Sequence, residues 1–227
     1  MAIDDDVIRK APLFHGVAAG DAEALAAKLH PVTLKRGQAL FHQGEPGDRL
    51  YIVGKGKVKL ARRTADGREI LLALAGPGEM LGELTMFDPG PRAATATAVS
   101  TCEAYELSHR DLMAWIEAHP PVATQLLAAL AARVRRADDA MGDMVFADVP
   151  SRVAKALLDF GRRFGEPSAA GTRVPHDLTQ EELAQLVGAS RESVNKALSD
   201  FTGRGWIERD GRVITLRDIP RLERRAR

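Results

Sequence analysis

Arg191, Glu192, Asn195 and Lys196 fall within six positions of one another, in a stretch whose remaining residues are small or apolar. Arg and Lys donate to guanine and Glu accepts from cytosine, so this quartet has the chemistry to read base edges in a major groove. A second group lies upstream, in GPGEMLGELTMFDPGPRAATATA. Gly82 frees the backbone to approach a ligand, and Glu83 to Phe87, through Leu84 and Thr85, can form one turn of helix. A helix start presents unpaired N–H groups that suit a phosphate. Arg92 can return across the turn to neutralise that phosphate with a planar fork. Glu83 makes sense there if it accepts from a sugar hydroxyl, and phosphate plus ribose describes a nucleotide. An internal Glu83–Arg92 ion pair in a glycine-rich turn is the other reading of the same spacing.

The first quartet needs a rigid support, and DLTQEELAQLVGASRESVNKALSDF supplies one. Thr179 can cap a helix, and Glu182 three residues on completes a capping box. Leu183, Leu186 and Val187 share a face of that helix. Gly188 allows the left-handed backbone of a sharp turn. Ser190 caps a second helix with Val194, Ala197, Leu198 and Phe201 on its apolar face. This is a helix-turn-helix pattern. A capped helical hairpin with solvated Arg and Lys is the alternative. The WIERDGRVITL segment that follows reads as two strands joined at Asp210-Gly211, a hairpin that would make the unit winged.

The second group needs a β scaffold. From Val32 to Leu107 short alternating runs (LYIV, KVKLA, EILLALA, AATATAV) are separated by turn signals such as GEPGD, ADG, GPGE and DPGP. This predicts a β-sandwich or roll. Residues 3 to 30 read as short helices, with Ala22 to Leu29 the clearest. After Ser108 the pattern is helical again. Ala123, Leu127, Leu130, Val134, Ala137, Met141 and Met144 then form a heptad seam on one long helix, Pro121 to Phe146. The seam either packs on the β domain or meets a partner helix. Leu126 and the segment Leu112 to Ile116 can serve the β domain, so a parallel homodimer is the favoured reading. The ADVPS segment reads as a hinge, followed by a helix over Arg152 to Phe164 and a loop, GEPSAAGTRVP.

Bulk properties bound the class. The 227 residues suit two domains, and 45% hydrophobic content with 5% aromatics implies cores filled by Leu, Val and Ala. The formal net charge is +1. It divides unevenly, with 15 Lys+Arg against 12 Asp+Glu from Ala147 onward and 17 against 19 before it, a modest bias toward nucleic acid in the second half. The basic RLERRAR segment suits either a phosphate contact or a solvated tail. Cys102 is the sole cysteine, which excludes an intramolecular disulfide and a cysteine-rich metal site. It falls in a strand-like run with Ala104 and Leu107 and reads as a buried apolar residue. The N-terminus is acidic without an apolar core, and no apolar run approaches ~20 residues, so a cytoplasmic protein without membrane contact is expected. No Ser-His-Asp set, metal-ligand spacing or NTPase phosphate loop is present, so no catalytic residues, no metal, no cofactor and no enzymatic activity are expected. His15, His30, His42, His109, His119 and His176 are scattered.

With these residues in view, the chain resembles the cyclic-AMP receptor protein family of bacterial transcription factors, most nearly those of high-GC bacteria. The resemblance runs from APLF through RGQALFHQGEPGDRLYIVGKGKVKL to the wing. Its most specific pieces are GEPGDRLY, LGEL, DPGPRAAT, VFADVPSRVAKALL and LTQEELAQLVGASRESVNKAL. It implies an α+β chain: a cyclic-nucleotide-binding β-roll (1–119), a dimerisation helix (120–146), a hinge (147–150) and a winged helix-turn-helix (151–227). It implies that Gly82, Glu83, Leu84 and Thr85 line a pocket for cyclic AMP as allosteric effector. Glu83 would take the ribose hydroxyl, and Arg92 with the Ala93 backbone the cyclic phosphate. It implies double-stranded DNA with a palindromic TGTGA-type site, Arg191 on guanine and Glu192 on cytosine. Thr179, Gln180 and Ser190 match phosphate-contacting positions, and RNA polymerase is the implied protein partner. Iron–sulfur branches of the superfamily need several cysteines, which this chain lacks.

Three departures stand out. Ala93 replaces a hydroxyl that many bacterial members place after the arginine. The resulting RAAT is similar to the cassette of cAMP-dependent protein kinase regulatory subunits, and cGMP-selective members tend to carry threonine there, which favours adenine. Ala137 and Asp138 stand where the family places polar side chains against adenine; Ala137 offers no hydrogen bond and Asp138 brings a charge that is costly to bury. Lys196 stands where an arginine is usual. The expected mechanism is effector binding that repositions the long helix and hinge, so that two recognition helices meet successive major grooves about 34 Å apart. An effector-independent DNA-binding regulator with a vestigial pocket is the alternative. A nucleotide-binding subunit controlling another protein is a further one.

Overall fold

The computed structural model describes residues 10–227. The expectation of helix over residues 3–9 lies outside the described residues. The chain divides into two compact units between Arg135 and Arg136, inside its longest helix.

In the first unit, a 3-10 turn at Pro12–Phe14 and helix α1 (Ala19–Ala26) precede the β domain. The helix expected at Ala22 to Leu29 therefore starts and ends three residues early, because the chain must turn into β1 (His30–Leu34). Seven further strands follow: β2 (Ala39–Phe41), β3 (Arg49–Lys55), β4 (Val58–Arg63), β5 (Glu69–Ala75), β6 (Met80–Leu81), β7 (Thr95–Ala98) and β8 (Cys102–Ser108). They build two four-stranded antiparallel sheets, ordered β1-β8-β3-β6 and β2-β7-β4-β5. The α+β class and the β-rich first unit agree with the sequence reading.

Alternation explains the sheets. Along β8, Cys102 and Ala104 face one side and Tyr105 and Leu107 the other, and all four are buried because the strand packs on both faces. Leu34, Phe41, Val53, Leu60, Ala96 and Cys102 belong to one apolar cluster. A second joins Leu50, Ile52 and Leu107 to Leu112, Trp115, Val122 and Leu126. Besides Ala22 and Leu25 of α1, two helices after β8 supply that second cluster. Helix α3 (His109–Ala118) is capped by Ser108, whose hydroxyl accepts from the Asp111 N–H. The long helix, Pro120–Phe146, runs 27 residues, about 40 Å at 1.5 Å per residue. Its Val122 and Leu126 are buried, whereas Leu127, Val134, Met141 and Met144 of the seam are exposed. A single turn of helix, α2 (Leu84–Phe87), lies between β6 and β7; counting in chain order, the long helix is α4.

In the second unit α4 stops at Phe146 and α5 (Val149–Phe164) starts almost at once. Asp148 caps α5 through Ser151, and Pro150 occupies its first turn, where a missing N–H costs nothing. The interruption is thus Ala147-Asp148 alone, shorter than a hinge over 147–150. The segment GEPSAAGTRVP is not a loop. It forms β9 (Glu166–Ser168) and β10 (Gly171–Pro175), and β10 pairs with the wing. The wing strands are β11 (Ile207–Asp210) and β12 (Val213–Leu216), giving a sheet ordered β11-β12-β10-β9. Asp210 pairs with Val213, so the hairpin turns on Gly211-Arg212 rather than Asp210-Gly211. RLERRAR is not a free tail either. Helix α8 (Ile219–Arg225) buries Leu222 completely and is capped by Asp218. Between the strands stand α6 (Gln180–Val187) and α7 (Arg191–Gly203).

Candidate functional site

Around the Glu83–Arg92 group, β6 delivers the chain to Gly82, whose φ of 79° few side chains tolerate. Glu83 and α2 follow. Arg92 folds back into this turn and is only 4% exposed. Its Nη1 donates to the Gly82 carbonyl at 2.9 Å and to Thr85 Oγ1 at 3.0 Å. Its Nη2 donates to the Arg49 carbonyl at 2.7 Å. The guanidinium lies 4.4 Å over the Phe41 ring, a cation–π contact. Burial lowers its pKa from the ordinary arginine value, against the charges of Asp48, Glu83 and Glu45. Arg92 Nε is buried with no hydrogen-bond partner among the described residues.

Glu83 is 3% exposed and does not pair with Arg92. The internal Glu83–Arg92 ion pair allowed by spacing is therefore replaced by another: Arg133 Nη1 donates to Glu83 Oε1. Glu83 Oε2 is buried and has no partner among the described residues. A buried cation with a spare donor beside a buried carboxylate with a spare acceptor suits a small ligand that is anionic and carries a hydroxyl.

Space has been cleared around Arg92. A Cβ on Gly47 would stand 2.7 Å from its Cζ and 2.5 Å from Thr85 Oγ1. A Cβ on Gly82 would collide with its Nη1. The structure thus brings Gly82, Glu83, Thr85 and Arg92 together. Leu84 and Ala93 adjoin them in the chain with exposed side chains. Ala137 and Asp138 lie in the second unit and are exposed.

Arg133, Phe41 and Gly47 escaped the sequence reading. Arg133 follows Leu126 by seven residues, so it lies on the helix face that packs on the β domain; that periodicity was the available signal. Nothing in the local pattern ties Phe41 or Gly47 to Arg92.

The Arg191 quartet is built as the helix-turn-helix motif requires. Thr179 and Glu182 complete the capping box, and Gly188 ends α6 at φ 62°. Leu183, Ala184, Val187, Val194, Ala197, Leu198 and Phe201 are buried between the helices, with Leu186 half-buried. Ser190 caps α7 by accepting from the Ser193 N–H at 3.1 Å. Arg191, Glu192 and Lys196 are exposed on the first two turns. Asn195 is half-buried and donates through Nδ2 to Gln180 Oε1 at 3.0 Å. Arg191 Nε donates to the same oxygen at 3.4 Å. The Thr179 and Ser190 hydroxyls are engaged in their caps.

Arg152 ties this turn to the end of the long helix. Its guanidinium donates to the carbonyls of Ala147 (2.6 Å), Val187 (2.8 Å) and Gly188 (3.2 Å). One guanidinium is thus shared between the end of the long helix and the turn that precedes α7. Among the described residues no cluster of His, Cys, Asp and Glu could hold a metal ion, and no helix is long and apolar enough to cross a membrane.

Comparison with known proteins adds the following. The cyclic nucleotide-binding domain family matches residues 31–119. The Crp-like helix-turn-helix domain family matches residues 151–225. The chain is 50% identical over 223 residues to a CRP-like cAMP-activated global transcriptional regulator of Mycobacterium tuberculosis, covering 98% of this chain and all of that one. It is 35% identical to the cyclic AMP receptor protein of Thermus thermophilus, over 95% of this chain and 97% of that one. Among solved structures, FixK2 from Bradyrhizobium japonicum is similar with a TM-score of 0.77 at 25% identity, covering 86% of this chain and 96% of that one.

Proposed function

The chain belongs to the Crp family of transcriptional regulators, with a cyclic-nucleotide-binding domain and a DNA-binding helix-turn-helix, and on that premise we propose that it is a homodimer switched by cyclic AMP. The observation that carries the ligand assignment is the pair of buried orphan atoms, Arg92 Nε and Glu83 Oε2, in one glycine-cleared turn. In the bound state Arg92 neutralises the cyclic phosphate, with the Ala93 backbone beside it, and Glu83 accepts from the ribose hydroxyl. Gly82, Leu84 and Thr85 complete the turn. Ala137 and Asp138 are assigned to the adenine side. The cAMP-activated relative at 50% identity supports this choice of nucleotide.

On the DNA side, Arg191 reads guanine and Glu192 cytosine in each half of a TGTGA-type palindrome, with Asn195 and Lys196 on the same helix face. Thr179, Gln180 and Ser190 lie at the helix starts nearest the phosphates. The exposed heptad seam joins two copies, and Arg152 passes the state of the long helix to the recognition turn. The required coupling between effector and operator is modest, about 1–3 kcal/mol. RNA polymerase is the assigned protein partner and the cytoplasm the assigned compartment, and no catalytic role is assigned.

Calorimetry with cAMP and cGMP tests the ligand assignment. Cyclic AMP should bind, and Arg92→Lys should bind at least ~10-fold more weakly, because a point charge cannot reproduce the fork. Equal affinity would remove Arg92 from the pocket. Ala93 and the occupied Oε1 of Glu83 favour a second reading, an effector-independent regulator. Operator affinity measured with and without cAMP separates the two.

A further inference from the structure

Arg191 is donor-only, and that single fact fixes the polarity of its neighbours. Its Nε points to the Gln180 side chain, so Gln180 must present Oε1 and not its amide nitrogen. Asn195, meeting the same oxygen, must then present Nδ2. The consequence is visible: Asn195 Oδ1 is buried without a partner among the described residues. An unsatisfied buried acceptor is costly. Turning both amides over would let Asn195 accept from Gln180, but would set the Gln180 amide donor against the Arg191 donor. The structure keeps the arrangement that serves Arg191.

The geometry of that service matters. Nε is the donor used, which leaves the two terminal nitrogens of Arg191 without a partner among the described residues, on an exposed side chain. Those two nitrogens form the fork that meets guanine O6 and N7. A guanidinium held by Nε loses side-chain freedom before DNA arrives, so less is lost on contact.

We infer that Gln180 is a positioning residue for base reading: its Oε1 holds Arg191 by Nε and sets the orientation of Asn195. This rests on the reading of Arg191 as the guanine reader. It assigns Gln180 a role in sequence discrimination that a phosphate contact would not have.

The test compares two duplexes in a salt series by fluorescence anisotropy. One carries both TGTGA half-sites; the other has the half-site guanines replaced by adenines. Gln180→Met keeps the volume and removes the acceptor. It should lower the ratio of the two affinities about tenfold and leave the salt dependence unchanged. Gln180→Glu keeps an acceptor and should retain the ratio, while weakening both complexes through repulsion of phosphate. In the free protein, the Arg191 Hε NMR resonance should move upfield in Gln180→Met, where the acceptor is lost, and downfield in Gln180→Glu, where the acceptor becomes charged. An unchanged ratio in Gln180→Met overturns the inference. So does an equal loss on both duplexes with a salt slope shallower by about one phosphate, which marks a phosphate contact. If Arg191→Ala retains the wild-type ratio, the guanine reading itself is overturned and the inference falls with it. If Arg191→Ala loses the ratio and Gln180→Met does not, only the inference falls.

Discussion

Arg133, on the long helix, donates to the carboxylate of Glu83 across fifty residues of sequence. Glu83 is almost wholly buried while Arg133 remains about a third exposed. The pair therefore satisfies one oxygen of a carboxylate that would otherwise be left charged and unpaired inside the protein. Removing only the cation should be worse than removing both groups. Arg133→Met should lower stability by about 2 kcal/mol, a buried-pair loss reduced by the exposure of one partner. Glu83→Gln with Arg133→Met should lose less than the sum of the single changes. Thermal unfolding of the four proteins measures the coupling, and strictly additive changes would show that the contact contributes nothing.

Gly47 reads in the sequence only as part of a turn signal, GEPGD, but it sits against the guanidinium of Arg92. Its backbone is in a region open to any residue, so Gly47→Ala adds no backbone strain. The new methyl would have to share space with Arg92 Cζ at 2.7 Å. Arg92 is the far end of a flexible side chain and can yield, so the fold should survive. Yielding moves it off the Gly82 and Arg49 carbonyls. Cyclic AMP affinity should fall at least ~10-fold, about 1.4 kcal/mol, with a native circular dichroism spectrum. Wild-type affinity would show that the position of Arg92 is immaterial to binding.

What could be read from the sequence was what is local. Thr179 and Glu182 are three residues apart, so their capping box was legible, as were Gly188 and the strand character of β8. What escaped was non-local or sparsely patterned. Strands β9 and β10 carry Pro167 and Pro175 and bury only Val174, so they show no alternation. Their reason to exist is β12, with Val174 opposite Ile214. Helix α8 was hidden because its anchor Leu222 is a lone apolar residue between Arg221 and Glu223. At the ligand turn Glu83 and Arg92 were legible as chemistry, but not the partner of Glu83, because no local spacing connects residue 83 to residue 133.

Helix α8 also closes on the short link between α4 and α5. Arg225 donates to Asp148 Oδ2 and to Ser151 Oγ, both at 2.6 Å. The Arg225 hydrogen bond, reinforced by the Ser151 N–H, lowers the Asp148 pKa from 3.8 to about 2. The folded value lies below the unfolded one, so the contribution is complete above pH ~4 and is lost as pH falls toward 2. Asp148 is well exposed, so solvent screening limits that contribution to less than ~1 kcal/mol. In Arg225→Gln the Asp148 carboxyl, followed by carbon-detected NMR, should titrate nearer its ordinary range. The acid limb of the unfolding curve should flatten. A titration unchanged from wild type would assign the shift to the helix cap alone.

The seam of α4 gives the sharpest test of assembly. Leu127, Val134 and Met141 recur every seven residues and are 66%, 59% and 65% exposed in the single chain. A regular apolar stripe on a helix about 40 Å long is what a coiled-coil partner covers. Two-fold symmetry would bury each of these side chains twice, at about 1.5–3 kcal/mol per side chain. Val134→Glu places like charges opposite each other at the centre of that stripe. Val134 makes no part of the buried clusters, so the folded unit should be undisturbed. Sedimentation at micromolar concentration should give twice the 24.6 kDa chain mass for the wild type and the single-chain mass for Val134→Glu. Affinity for the palindrome should fall to that of one half-site, because the second recognition helix is no longer held at the matching groove. A wild type that sediments as a single chain, or a Val134→Glu variant that still sediments as the pair, would show that this stripe is not where two copies meet.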